Sequence, residues 1–414
     1  MLLTLTLPGF LFSQSASDFL NSDNCYTCHK AVDLLPEDFN EHDIHLQEGL
    51  SCAGCHGGDP TREDPDESMS PARGFVGVPS RTETPQFCGK CHSNIDFMRR
   101  YRPRIATDQV QQYYTSIHGI RLKKGDRKVA ECVSCHSAHQ IFPVDDARSP
   151  VYPTNIPATC NKCHGNATYM KEYGLPTDQF EKFKQSVHGI ALLENQDLGS
   201  PACNDCHGNH GAMPPGVESI SHVCGNCHVN NMEYFSNSPM AEPFRQLNYH
   251  ACEQCHGNHA VMKTSDDMVG TREPAVCINC HSAGDGGYQA ADKIHTYLKK
   301  FTSKYDSAQT DLAEVQRKGM DDVEILFLLQ EAHQELIRTR TLVHTFEPEI
   351  IKEKVDTGLV KTSKAQIIAR EQLEEYVTRR LGFGFSTIFI TILVIALYFK
   401  IRDLDKKEKA QSGS

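Results

Sequence analysis

One pentapeptide, Cys-x-x-Cys-His, occurs nine times in this chain of 414 residues, and the nine copies use all 18 of its cysteines. They are Cys25-Cys28-His29, Cys52-Cys55-His56, Cys88-Cys91-His92, Cys132-Cys135-His136 and Cys160-Cys163-His164. Further along come Cys203-Cys206-His207, Cys224-Cys227-His228, Cys252-Cys255-His256 and Cys277-Cys280-His281. Two thiols at that spacing reach the two vinyl groups of one porphyrin. The histidine that follows is then held beneath the ring, where its imidazole binds the iron. The pentapeptide is the attachment signature for c-type haem. The sequence therefore predicts nine haem c groups, with the 18 cysteines as covalent anchors and the nine motif histidines as proximal iron ligands.

Other uses of paired cysteines fit less well. Zinc ribbons join two Cys-x-x-Cys pairs on one metal but do not require His directly after the second cysteine. With 21 histidines in the chain, chance puts one at a given position about 5% of the time, so nine in nine is no accident. Disulfides in a secreted chain leave the recurring histidine unexplained. Redox pairs of the thioredoxin kind come singly within a βαβ pattern, which is absent here.

Between Cys25 and Cys280 the motifs come about once per thirty residues, too little chain to bury an ordinary apolar core around each. Only 39% of residues are hydrophobic and there is no Trp. The expected fold is mostly irregular, with short α-helices packed around the porphyrins and little or no β structure. A net charge of −11 argues against nucleic acid as a partner and favours docking to basic patches on redox proteins.

The two ends suggest a location. Residues 2–12 form a short apolar run followed by Ser13, Ser15, Ala16 and Ser17, which is the pattern of a secretory signal over residues 1–16, although a basic leader is missing. Residues 381–399 (LGFGFSTIFITILVIALYF) carry no charge and would span about 28 Å as a helix, close to the hydrocarbon thickness of a bilayer. Arg379 and Arg380 precede them, and the tail 400–414 is rich in Lys and Arg, as suits a cytoplasmic end. The expected layout is a haem domain over 17–290, a helical region over 291–380, one transmembrane helix and a short tail. The haem domain is then periplasmic, on a single C-terminal anchor in a bacterial inner membrane.

Between haem domain and anchor, apolar residues recur at helical spacing: Leu312, Val315, Val323, Leu326, Leu329, Leu336 and Val343. Pro348 and Gly358 interrupt the pattern, and Thr362 or Ser363 offers an N-cap for a second helix. An antiparallel helical hairpin is the expectation, with oligomerisation through it as an alternative use. No catalytic set is evident there.

Internal repetition assigns the other histidines. Ser116-Ile117-His118-Gly119 precedes Cys132 to His136 with His139, then Cys160 to His164. Ser186-Val187-His188-Gly189 precedes Cys203 to His207 with His210, then Cys224 to His228. A compressed copy has His250, Cys252 to His256 with His259, then Cys277 to His281, and an N-terminal copy has His45, Cys52 to His56, then Cys88 to His92. In that last copy Gly57-Gly58-Asp59 stands where the others have x-x-His. The motifs thus group as one lead motif and four two-motif units. Nine irons need nine further ligands for closed coordination, and ten histidines lie in or beside the haem region: His42, His45, His118, His139, His188, His210, His222, His250, His259 and His295. His42 and His45 compete for one iron, while His333 and His344 sit on the helical region as ordinary residues. Paired imidazoles close the iron and keep its potential low.

The Ser-x-His-Gly lead-in and the Cys-x-x-Cys-His-x-x-His form, at residues 116–139 and 186–210, resemble the doubled-CXXCH multihaem c-type cytochromes of the MtrA, DmsE and NrfB type. That resemblance spans roughly residues 25–295. It implies bis-histidine haems carrying electrons through the periplasm, here between a membrane donor, quinol-linked as in anaerobic respiration, and periplasmic or outer-membrane acceptors. A membrane-embedded quinol-oxidising complex is then a partner. The C-terminal anchor departs from that group, and quinol dehydrogenases of the NapC/NrfH type, similar in task, are anchored at the N-terminus. The alternative is an enzyme similar to octahaem hydroxylamine oxidoreductase or tetrathionate reductase, acting on a small nitrogen or sulfur compound. Its best candidate site is Cys52 to Asp59, where the following histidine is missing.

Overall fold

A computed structural model describes residues 20–214 and 220–411, without the side chains of 220–222 and 410–411; the proposed signal segment lies outside the described residues. Among the described residues the chain is helical, with no strand, as the composition predicts. It divides into two compact units, Met1–Val223 with Cys252–Lys263, and Cys224–Ala251 with Thr264–Ser414.

The first unit is built from helices of nine residues or fewer joined by loops. Its apolar clusters are small. Leu20, Tyr26 and Leu46 form one, with Leu35 and Phe39 against them, and Tyr113, Leu122 and Val129 form another. Clusters of this size do not stabilise some two hundred residues, so cohesion rests on the contacts between motif helices.

The second unit has a conventional core. Three long helices, α1 (Gly286–Arg317), α2 (Val323–Leu342) and α3 (Pro348–Gln411), pack on one another. On α1 the buried residues Ile294, Leu298, Phe301, Ala308, Leu312 and Val315 follow helical periodicity. They meet Ile325, Leu329, Ala332 and Leu336 of α2 and Ile351, Val355, Ala365 and Ala369 of α3.

The helical region doubles back as expected but turns twice, giving three helices where the sequence pattern suggests two. The apolar stripe from Leu312 to Val343 is broken at Gly319, which takes φ 65° and ends α1. The break shifts the helical phase, and Val323 is left 71% exposed at the start of α2. A second turn runs through Val343–Thr345 and Phe346, in the left-handed region at φ 55°. Pro348 then opens α3, where its missing N–H is no loss. Gly358 does not interrupt α3; it makes room for the fully buried Phe301, whose ring a Cβ there would overlap. Thr362 is no N-cap: it is buried inside the helix and its Oγ1 donates to the Gly358 carbonyl at 2.9 Å.

One ion pair ties the bundle to the segment before it. Arg340 donates to both carboxylate oxygens of Asp266, at 2.8 and 3.0 Å, and Thr302 adds a bond of 2.8 Å. Beyond the bundle, α3 continues with large apolar residues exposed all round, Phe383, Phe385, Ile388 and Phe389 among them. That stretch has the length and composition of a membrane span, fitting a single anchor.

Two outcomes follow. Gly358→Ala gains about 1 kcal/mol of helix propensity but drives a methyl into Phe301, a misfit of about 1–3 kcal/mol; denaturation should show a net loss, and an unchanged or raised midpoint would contradict the packing. Burial alone would raise the Asp266 pKa, yet the bonds from Arg340 and Thr302 outweigh it and hold the carboxyl below its usual range. Its folded pKa being depressed, its stabilisation is present above the ordinary carboxylate pKa of about 3.9 and lost as pH falls below it. Asp266→Asn should therefore flatten the acid limb of stability against pH, measured by thermal unfolding between pH 6 and acid.

Candidate haem-binding sites

Nearly every Cys-x-x-Cys-His motif lies on or at the end of a helical turn. Examples are Asn24–Ala31, Cys52–His56, Thr84–His92, Cys132–His136, Ile156–His164 and Cys203–His207. A helix brings residues i, i+3 and i+4 to one face, so both sulfurs and the imidazole share a side. None of the 18 cysteines forms a disulfide. Burial pushes the Cys25 thiol up to about 12 and the Cys52, Cys55 and Cys135 thiols to about 11, so these groups are not poised as free thiolates.

Motif helices also pack on each other in a fixed register. The side chains of Cys88 and Cys132 interact, as do those of Cys160 and Cys203, and Cys25 and Cys52 are electrostatic neighbours. The helices carrying these pairs are in contact. The closest motifs therefore straddle the units read from the sequence, and the lead motif at 25–29 is joined to the one at 52–56.

Five histidine pairs stand out. Ring centroids are 6.0 Å apart for His45 and His92, 6.3 Å for His56 and His139, and 6.1 Å for His118 and His164. They are 6.1 Å apart for His136 and His210 and 5.9 Å for His207 and His259. The angle between ring planes ranges from 11° to 86° while the separation stays between 5.9 and 6.3 Å. Ring-on-ring contact would couple the two. Two metal–imidazole bonds of about 2 Å, each extended by roughly 1.1 Å from nitrogen to ring centre, put the centroids roughly 6.2 Å apart whatever the rotation. In each pair one member is a motif histidine.

Hydrogen bonds orient these rings. The Nδ1 of His56 contacts the Gly77 carbonyl at 2.8 Å, and that of His207 the Met213 carbonyl at 3.3 Å. Carboxylates take Nδ1 of His45 (Asp43, 3.1 Å), His139 (Asp38, 3.2 Å) and His281 (Asp285, 3.1 Å). An Nδ1 so occupied leaves Nε2 as the ligating nitrogen. Burial lowers the pKa of His92, His118, His164, His210 and His259, and pushes that of His136 down to about 4. They are neutral near pH 7, the form that binds a metal. Spacing, tautomer and charge all fit haem c.

The pairing weaves the repeats together. In two units the lead histidine faces the second motif of the same unit: His45 faces His92 and His118 faces His164. The x-x-His of a unit faces the first motif of the preceding one, as His139 faces His56, His210 faces His136 and His259 faces His207. A recurrent backbone bond holds the weave: Ile44 N–H to the Ile141 carbonyl (2.8 Å), Ile117 to Ala212 (3.1 Å) and Val187 to Val261 (2.8 Å). Each joins the residue before a lead histidine to the second residue after the next unit's x-x-His.

Local chemistry explains the Ser-x-His-Gly motif. Ser116 and Ser186 are helix N-caps whose Oγ accepts from the N–H of Gly119 and Gly189, both at 2.9 Å, and donates to the carbonyls of Tyr113 and Phe183. A Cβ at Gly119 would overlap the Tyr113 carbonyl. In the N-terminal unit Asp43 is the cap, its Oδ1 accepting from the His45 N–H and its Oδ2 from Ile141. Gly57-Gly58-Asp59 is a turn: Gly57 lies against the Gly74 carbonyl, and Asp59 binds Thr61 and Arg73. The imidazole facing His56 comes from His139 of the next unit, so the missing x-x-His does not leave that motif unmatched.

Other predicted ligands fall differently. His45, not His42, faces His92, and His42 is exposed. His295 turns its Nε2 to Asp267 at 3.2 Å. His188 and His250 are half-buried, and the side chain of His222 lies outside the described residues. Sequence reasoning missed the Nδ1 partners Asp38, Asp43, Gly77 and Asp285, which carry no motif of their own.

A family model described as cytochrome c3 matches residues 44–165, and one described as cytochrome c554 and c-prime matches residues 223–301. No curated protein and no solved structure matches. Both matches fall on Cys-x-x-Cys-His motifs and support a multihaem c-type cytochrome, with domains of electron transfer. Gly119→Ala should displace the capped turn and move His118 away from His164. The expected readout is a spin-state change at one haem in the electron paramagnetic resonance spectrum; an unaltered spectrum would contradict this role for the turn.

Proposed function

We propose that this protein is a membrane-anchored carrier with nine haems. It takes electrons from a membrane donor, quinol-linked, and passes them to periplasmic or outer-membrane acceptors. The observation that carries this reading is the recurrent histidine pair, with a motif imidazole and a second imidazole about 6 Å apart. Such a pair would hold haem c, which would supply a one-electron couple, and two imidazoles on the iron would leave no place for a substrate. The motif cysteines anchor the group. The paired histidines would ligate it, and Asp38, Asp43 and the Gly77 carbonyl take the Nδ1 of His139, His45 and His56, leaving Nε2 to bind. Two imidazoles and an acidic chain favour low potentials.

The rest of the reading follows from the chain's ends. The apolar stretch of α3 serves as the anchor, with the basic tail in the cytoplasm. Residues 1–16 serve in export to the periplasm of a bacterial inner membrane. The enzymatic alternative has its best candidate at Cys52 to Asp59, and there His139 stands opposite His56.

The test uses purified full-length protein, reduced with dithionite and mixed with carbon monoxide, nitrite or hydroxylamine. A carrier shows no carbon monoxide adduct and no turnover, yet is rapidly reoxidised by a soluble ferric complex. A stoichiometric adduct with steady consumption of nitrite or hydroxylamine would establish the enzyme instead.

A further inference from the structure

The histidines of the helical bundle differ in what surrounds them. His333 is exposed and lies beside the Tyr305 ring at 5.8 Å. His295 has its Nε2 on Asp267 at 3.2 Å. His344 is placed otherwise. It sits in the Val343–Thr345 turn between α2 and α3, half-buried, with its Nδ1 2.9 Å from the Thr341 carbonyl. That contact is the one the Nδ1 atoms of His56 and His207 make with backbone carbonyls, and it directs Nε2 away from the turn for ligation.

The surroundings of this turn belong to a haem motif of the same unit. The helix Val229–Ser236, which begins immediately after His228, packs against the turn. Phe235 of that helix and Phe346 meet edge to face at 6.3 Å. His344 also feels the field of His228, and burial lowers its pKa, so the imidazole is neutral. The turn runs into Phe346, in the left-handed region, and Pro348 opens α3.

The balance of ligands points the same way. Ten histidines were expected to serve nine irons. With His42 exposed and the Nε2 of His295 on Asp267, eight remain, and His344 makes nine.

We propose that His344 is an axial ligand to one of the haem irons, so that the turn joining α2 to the membrane helix α3 is part of a haem site. The helical bundle is then more than a stalk. It supplies a haem ligand from the turn that opens α3. This inference rests on the nine-haem reading, and the two are tested separately.

The experiment compares the full-length holoprotein with His344→Ala, His344→Met and, as control, His333→Ala. Intact mass counts the attached haems and tests the nine-haem reading alone. In His344→Ala, electron paramagnetic resonance of the oxidised protein should show one low-spin haem converted to high-spin, and the reduced protein should bind one equivalent of carbon monoxide. In His344→Met, where sulfur can replace nitrogen on the iron, a single haem should stay low-spin with a raised potential. His333→Ala should match the wild type. Spectra and potentials unchanged in His344→Met, at unchanged haem count, overturn the proposal even if His344→Ala fails to accumulate.

Discussion

Two imidazoles facing each other about 6 Å apart form the constraint on which the first unit depends. Short helices of mixed composition have little reason to stay together, and the apolar clusters between them are small. Each histidine pair joins segments far apart in sequence, and the separation hardly varies while the ring orientation does. Such a distance is what a metal on the axis between the rings sets. With haem c in these sites, folding of this unit would be coupled to the group, as in other small domains organised by a metal.

The arrangement also explains why the repeats are not separate modules. Each x-x-His reaches back to the preceding unit, and one backbone bond per junction, from Ile44, Ile117 and Val187, fixes the register. Motif helices from adjacent repeats pack together, as those carrying Cys88 and Cys132 do. From the motif at 25–29 to the one at 203–207, successive attachment sites are then neighbours, the condition for moving electrons without moving the protein. The second unit is cohesive in a different way, by apolar packing of three helices and the Asp266–Arg340 pair.

How much of this was legible in the sequence depended on the range of the interaction concerned. The attachment motifs, the short helices and the apolar stretch of α3 rest on local spacing and could be read directly. The candidate histidines could be collected but not matched, because the match of His139 to His56 crosses from one repeat to the next. Gly57-Gly58-Asp59 suggested an open site for that reason, although it is a turn. The sequence pattern suggests a hairpin where the structure has three helices, because Gly319 ends a helix within an apolar stripe and Gly358 makes room for Phe301 without breaking one. His344 has no motif around it; only burial, the Thr341 carbonyl and the helix after His228 distinguish it from His333.

The central claim is that each iron is held between two imidazoles. Quantified electron paramagnetic resonance of the oxidised full-length holoprotein tests it most directly. The account predicts nine low-spin ferric haems per chain and no high-spin signal. A high-spin haem present at one per chain in the wild-type protein would contradict it.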